Sequence, residues 1–217
     1  MKQKTLLSLA IACLLGAFIL AVLIHNVEPD PDSAPLPPAQ LAALQRAHAP
    51  SLGPADAPVT IVEFLDPACE TCAAFYPIVK QILATDPRRL RLVLCYAPFH
   101  KGSDQVVAAL EAARKQDKFW PALEALLANQ NAWVMNHVAQ PERIAPILER
   151  AGLDLARLRA DMAAPEIGRV IEQDLLDLQT LQVRKTPDFF VNGRPLKEFG
   201  VEPLRELVAE TLRHAKR

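Results

Sequence analysis

The chain contains 217 residues, of which 51% are hydrophobic, and its formal net charge is -1. This length and composition allow one domain with a sizeable core, and they exclude a small disulfide-stapled scaffold. The near-neutral charge gives no indication of nucleic-acid binding. No two histidines have a spacing that would place them on one helix face, so no metal site is predicted from them; they are His25, His48, His100, His137 and His214.

Residues 1–27 have the pattern of a signal anchor or a signal peptide. Lys2 and Lys4 precede an uncharged apolar run over residues 5–24, which as a helix would be about 30 Å long and would span a bilayer. The end of this run has no clear small-x-small cleavage site, which favours an uncleaved anchor. Because lysines precede the run and acidic residues follow it, the remainder of the chain is predicted to lie outside the cytoplasm.

Residues 28–51 are predicted to form a linker. Residues 28–40 include five prolines and little that could be buried, which is typical of an extended spacer. A short helical turn is expected around residues 41–47, before Gly53 and Pro54 interrupt the pattern. The folded domain is expected over residues 52–216.

A strand–helix–strand unit is predicted at the start of this domain. Val59 to Leu65 is a β-branched, apolar run between two prolines, residues 68–84 have helical spacing, and Leu90 to Tyr96 forms a second apolar run. Such a unit requires a parallel strand pair with a right-handed crossover.

Five helices and a hairpin are predicted to follow. The helices are expected at residues 103–116, 118–129, 142–151, 154–162 and 165–182, from their apolar spacing. Asn192 and Gly193 then separate two short strand patterns, at residues 188–191 and 194–197, as in a type I′ β-hairpin. Residues 201–215 are predicted to form a closing amphipathic helix.

Cys69 and Cys72 lie at the junction between the first strand and its helix. Unpaired amides and the helix dipole stabilise a thiolate at a helix N-terminus. Cys69 is therefore predicted to be the nucleophile, and Cys72, one turn further, the resolving thiol that disulfide exchange requires. A zinc half-site would need two more ligands, which Cys13 and Cys95 do not supply, and haem attachment would need a histidine at Ala73. A structural disulfide would close too small a loop to stabilise the fold much.

Over residues 52–216 the sequence resembles the DsbA-like family of thiol–disulfide oxidoreductases, within the thioredoxin superfamily. The resemblance rests on residues 57–64 followed by Asp66 and the two cysteines, on residues 118–133, and on residues 186–193. It implies an α/β thioredoxin-like fold with an inserted all-helical subdomain at about residues 103–182, preceded by a single N-terminal transmembrane or signal-anchor helix.

The resemblance also implies roles for three further residues. Pro187 is expected to follow a cis peptide bond in a loop that faces the cysteines, and the backbone of Thr186 is expected to bind an extended substrate chain. Glu63 matches the buried acidic residue of the superfamily, and it is expected to relay the proton of Cys72. An exposed carboxylate near a strand end is the alternative for Glu63.

The residues between the cysteines depart from the family's strong oxidants, which have proline and histidine there. In this chain they are Glu70 and Thr71. A carboxylate beside Cys69 is expected to raise the pKa of that thiol and to make the disulfide less oxidising. Cys95, in the middle of an apolar strand, is expected to be a buried, inert thiol.

The predicted function is an extracytoplasmic enzyme that exchanges disulfides with exported proteins and is recycled by a membrane redox partner, without a cofactor. It is expected at the periplasmic face of a bacterial inner membrane through residues 5–24, or free in the periplasm if that segment is cleaved. One alternative is a disulfide reductase or isomerase of the same fold. The second is a Cu(I)-handling assembly factor, against which stands the expected lack of a third Cys, His or Met close to the motif.

Overall fold

The computed structural model describes residues 36–215 of the chain. The predicted anchor, residues 1–27, lies outside this range, as does the first part of the predicted linker. Among the helices within residues 36–215, none combines the length and the apolar character that crossing a bilayer demands.

Eight α-helices and seven strands are described in this part of the chain. The helices are α1 Pro38–Leu44, α2 Glu70–Thr85, α3 Ser103–Arg114, α4 Phe119–Ala128, α5 Ala145–Arg150, α6 Leu155–Met162, α7 Pro165–Leu181 and α8 Val201–His214. The strands are β1 Ser51–Leu52, β2 Val59–Leu65, β3 Leu90–Tyr96, β4 Val134–Met135, β5 Val138–Ala139, β6 Asp188–Val191 and β7 Arg194–Pro195.

The central sheet has five strands in the order β1-β3-β2-β6-β7. β2 and β3 run parallel, with Val59 opposite Leu90, and α2 connects them as predicted. β6 pairs antiparallel with β2 and continues through a hairpin into β7. Asn192 and Gly193 at this turn both have positive φ angles, which a type I′ turn requires. The thioredoxin-like α/β core is confirmed.

The sheet is covered on both faces because β2 is apolar on both. Ile61 of β2 packs with Leu204 of α8 on one face, and Phe64 packs with Leu178 of α7 on the other. A further cluster lies within the helices between β3 and β6, where Trp133 is completely buried. Successive side chains of a strand point to opposite faces, so Glu63 shares the face of Ile61.

The predicted inserted subdomain is not entirely helical. Residues 103–181 contain α3 to α7, but β4 and β5 form a two-stranded hairpin between α4 and α5. The predicted helix at residues 142–151 is instead the 3-10 turn Pro141–Arg143 followed by α5. Strands of two residues are too short to show an alternation of apolar and polar residues in the sequence. In the turn between β4 and β5, Asn136 and His137 have positive φ angles.

The folded region also begins earlier than residue 52, where the sequence places the domain boundary. α1 packs against α7, and its last residue, Leu44, is only 3% exposed. Arg46 then forms a two-pronged ion pair with Asp177 of α7, with N–O distances of 2.7 and 2.6 Å. Proline fits the first helical turn, so prolines that suggest a spacer can also start a helix.

Candidate active site

Asp66 organises the turn that connects β2 to α2. Its carboxylate is completely buried and accepts hydrogen bonds from the amide of Ala68 at 2.9 Å and from the hydroxyl of Ser103. The other oxygen accepts from the backbone amide of His100 at 2.8 Å and pairs with its Nδ1 at 2.7 Å. The sequence includes Asp66 in the family pattern but does not reveal this role, because two of its partners, His100 and Ser103, lie more than thirty positions away.

Cys69 precedes the first turn of α2 and is 7% exposed. Its protonated thiol donates to the carbonyl oxygen of Thr186 at 3.3 Å. Its pKa is lowered to about 5, chiefly by a hydrogen bond from the Cys72 side chain, with further support from the side chain of Thr186 and from the amides of Cys72 and Thr71. Burial acts in the opposite direction and is outweighed.

Glu70 does not have the effect on Cys69 that the sequence predicts. The pKa of Cys69 is lowered rather than raised. The Glu70 carboxylate is directed to His137, with 3.2 Å between Oε1 and Nδ1. A carboxylate paired with an imidazole opposes a neighbouring thiolate less than a free one does.

Cys72 lies one turn inside α2 and is completely buried. Its pKa is raised, first by burial, then by its hydrogen bond to Cys69 and by the charge of that thiolate. The two cysteines are reduced and are not joined by a disulfide. A slightly exposed thiol that ionises readily therefore lies beside a fully buried one that holds its proton, which is the asymmetry expected of an attacking and a resolving cysteine. Cys95 is 1% exposed, as predicted, and burial raises its pKa.

Glu63 is completely buried, so the alternative of an exposed carboxylate is wrong. Within residues 36–215 neither of its oxygens has a hydrogen-bond partner. Burial raises its pKa to about 8, and the charge of Cys69 acts in the same direction. The carboxyl is near enough to Cys72 and Tyr76 for its charge to raise the pKa of both.

The loop before β6 faces the cysteines from the other side. The peptide bond between Thr186 and Pro187 is cis, in agreement with the expectation. The carbonyl of Thr186 contacts Cys69, and Pro187 is buried. β6 places this loop beside the end of β2, because Phe64 pairs with Asp188 in the sheet.

Two further side chains reach the motif from the inserted region, and neither was predicted. Gln130 donates through Nε2 to the carbonyl oxygens of Pro67, at 2.7 Å, and Cys69, at 3.0 Å. His137, at the tip of the β4–β5 hairpin, contacts Glu70 and lies beside His100, with ring centroids 6.2 Å apart and the rings tilted by 30°. The expectation that no histidine lies close to the motif is therefore wrong, because the fold joins residues that are distant in sequence.

Comparison with known proteins agrees with this architecture. The family model described as Thioredoxin matches residues 46–210. A probable disulfide bond formation protein D of Bacillus cereus is 31% identical over 150 residues, which cover 66% of this chain and 69% of that protein. The crystal structure of a thioredoxin-like oxidoreductase from Silicibacter pomeroyi superposes with a TM-score of 0.70 and 30% identity, over 83% of this chain and 100% of the other.

A third relative is much longer than the matched region. The Na(+)/H(+) antiporter NhaA of Herminiimonas arsenicoxydans is 32% identical over 145 residues, which cover 67% of this chain but only 22% of the antiporter. The chain thus spans about a fifth of the length of that relative. The family model and the Bacillus relative cover most of the described domain, and on that basis the chain belongs to the DsbA-like family of thiol–disulfide oxidoreductases, within the thioredoxin superfamily.

Proposed function

We propose that this chain exchanges disulfides with exported proteins outside the cytoplasm, with Cys69 as the attacking thiol and Cys72 as the resolving thiol. One observation carries the proposal: the pKa of Cys69 is lowered to about 5, whereas that of its neighbour Cys72 is raised. Only the thiolate is nucleophilic, so near neutral pH Cys69 is reactive, whereas Cys72 remains a protonated thiol.

The exchange follows from this difference. In the oxidising direction a substrate thiolate attacks Cys69 of the Cys69–Cys72 disulfide; the bond between the two cysteines breaks, and Cys72 leaves with its electron pair and takes up a proton. A second substrate thiolate attacks the substrate sulfur of the mixed disulfide, and Cys69 leaves as a thiolate. The substrate loses two electrons, which the reduced pair passes to a membrane redox partner.

Glu63 is the proposed source of the proton that Cys72 takes up. Its pKa of about 8 keeps the carboxyl protonated at neutral pH, and it lies on the sheet face that α2 covers. A carboxyl group whose pKa is close to the working pH can both donate and recover a proton. Glu63 would therefore supply a proton when Cys72 leaves and accept it when Cys72 attacks.

Thr186 is the proposed binding position for the substrate backbone. Its carbonyl lies 3.3 Å from the sulfur of Cys69. An extended peptide that paired with this backbone, by strand addition, would have its own cysteine directed at Cys69.

The lowered pKa of Cys69 also favours the oxidising direction. A stabilised thiolate favours the reduced pair, which makes the disulfide a better oxidant. We expect a reduction potential of roughly -180 to -120 mV, between those of protein disulfide isomerase and of strong oxidants. Equilibration with glutathione measures it, and a value below about -250 mV would favour the reductase alternative.

Trapping of mixed disulfides tests the proposed function directly. Cys72→Ser should leave Cys69 bound to its substrates in cells, because no thiol remains to resolve the intermediate. The matched control is Cys69→Ser, which keeps the buried thiol and should capture almost nothing. Equal capture by the two variants would refute the assigned roles.

We further propose that residues 5–24 attach the chain to the outer face of the bacterial inner membrane. The support is the twenty-residue apolar run between two lysines and an acidic segment. The full chain should remain with the membrane after alkaline extraction and should be digested by protease added to spheroplasts. Release by alkaline extraction would indicate a cleaved, soluble form.

A further inference from the structure

Three side chains converge beside the cysteine motif, at the N-terminus of α2. Glu70 follows Cys69, His100 lies in the loop after β3, and His137 lies at the tip of the β4–β5 hairpin. One potential ligand atom from each residue lies within 4.8 Å of the other two. Two imidazoles and one carboxylate thus surround one small volume.

The environment of His100 matches that of a metal-binding histidine. Its Nδ1 pairs with the buried carboxylate of Asp66 at 2.7 Å, so its Nε2 is left available. Metal-ligating histidines almost always donate their second ring nitrogen to a carboxylate or a carbonyl, which fixes the tautomer and makes the ligating nitrogen more basic. Asp66 is itself held by Ala68 and Ser103, so the orientation of this ring is fixed by the fold.

The other two side chains have the freedom to complete the site. Zinc binds imidazole nitrogen and carboxylate oxygen at about 2.0–2.2 Å, so the three ligand atoms must come within roughly 3.5 Å of one another. The side chains of His137 and Glu70 are 76% and 55% exposed, so they can make that small movement without disturbing the core.

We propose that Glu70, His100 and His137 form a site for a divalent transition-metal ion of the Zn²⁺ type, next to the redox cysteines. Two imidazoles and one carboxylate suit such an ion, whereas Cu(I) prefers thiolate and thioether sulfur. Three protein ligands leave one position open, and two of the ligands, Glu70 and His137, are exposed, so the ion exchanges with the medium. This site is separate from the disulfide chemistry and does not rest on it.

A bound ion would change the surroundings of Cys69 in two ways. It would neutralise the charge of Glu70, which directly follows the nucleophile Cys69, and a cation at this position favours the Cys69 thiolate. It would also join the β4–β5 hairpin to the N-terminus of α2, because His137 lies on the first and Glu70 on the second.

The test is a Zn²⁺ titration of the full chain carrying Cys69→Ser and Cys72→Ser, so that the redox thiols cannot bind the ion. Competition with a chromophoric chelator should show one Zn²⁺ per chain, bound at micromolar concentration or tighter. In that background His137→Asn and Glu70→Gln should each weaken binding at least about tenfold. Asparagine tolerates the positive φ of position 137, so this variant keeps the hairpin turn.

His214→Asn is the matched control, since His214 is at the end of α8 and outside the cluster. It should bind Zn²⁺ as the parent does. The absence of Zn²⁺ binding at 100-micromolar-scale concentrations, or equal affinity in the parent and in His137→Asn, would overturn the site. Either result would leave the trapping experiment on Cys69 unaffected, so the two proposals fail separately.

Discussion

The acidity of Cys69 depends on a neighbour one helical turn away more than on the residue beside it. We expect the reduced protein to react with iodoacetamide at Cys69 with a midpoint near pH 5, because the Cys72 thiol stabilises the thiolate. Mass spectrometry of the Cys69 peptide across a pH series measures this. Cys72→Ala should raise the midpoint by about one unit or more.

Glu70→Gln is the matched comparison for that measurement. Because Glu70 is paired with His137, its neutralisation should move the midpoint much less than Cys72→Ala does. A midpoint close to the ordinary cysteine value of 9.0 would contradict the stabilised thiolate. A large decrease of the midpoint in Glu70→Gln would contradict the pairing of Glu70 with His137.

Glu63 should make the folded protein less stable as the pH rises. Its folded pKa of about 8 lies above the ordinary 4.5, so between these values the folded state binds more protons than the unfolded state. The free energy of unfolding therefore decreases with pH over that interval. Relative to Glu63→Gln, the oxidised wild type should lose on the order of a few kcal/mol between pH 4.5 and pH 8.

Urea unfolding at several pH values measures that difference. The disulfide form is used because Cys69 and Cys72 then do not titrate. Parallel stability curves for wild type and Glu63→Gln would show that Glu63 is ionised in the fold, and its proposed role as a proton donor would fail with it.

The site could be predicted in part from sequence because some of its residues carry local signals. The spacing of Cys69 and Cys72 predicts a redox pair, and the apolar neighbours of Glu63 predict that it is buried. The strand pattern after Pro187 predicts that this proline lies in the preceding loop. Gln130 and His137 have no such signal, since each becomes part of the site only through a contact with a residue more than sixty positions away.

At the scale of elements, α1 is held to the domain by a contact that its own sequence does not reveal. Arg46→Ala should lower the free energy of unfolding by about 2 kcal/mol, because it leaves the carboxylate of Asp177, 2% exposed, without its main partner. Arg205→Ala is the control. Its pair with Glu202 is exposed on both sides and should contribute less than about 1 kcal/mol.

Urea unfolding followed by circular dichroism checks both variants. An effect of Arg46→Ala no larger than that of Arg205→Ala would mean that α1 adds little to the domain, as a spacer would. The same experiment therefore measures how much the packing of α1 on α7 stabilises the domain.

Elements with long periodic patterns were predicted well, and so was the β6–β7 hairpin, whereas the two-residue strands β1, β4 and β5 were not predicted. β2 and β3 match their predicted bounds, and α7 ends one residue before its predicted end. The two-residue strands β1, β4 and β5 are too short for a repeating pattern. They are strands because of the backbone with which they pair: β1 pairs with β3, and β4 with β5. α1 falls in a proline-rich segment whose apolar residues gain a partner only when α7 has formed.

For the molecule as a whole, redox state and stability should be linked through Cys69. Its folded pKa of about 5 lies below its ordinary value of 9.0, so in the reduced protein the unfolded state binds more protons between these values. The reduced form therefore becomes more stable as pH rises through this interval, whereas the disulfide form has no such ionisation. The effect of Glu63 is present in both forms and largely cancels in the difference.

The difference in unfolding free energy, reduced minus oxidised, should accordingly increase between pH 5 and pH 8, by at most about 1.4 kcal/mol per pH unit. Urea unfolding with and without reductant measures it. Cys69→Ser, which cannot form the disulfide or the thiolate, should show no dependence on reductant. Whatever stabilises the reduced fold relative to the disulfide form also makes the disulfide a stronger oxidant. If the difference in unfolding free energy did not change with pH, the physical basis for the oxidising direction would be removed.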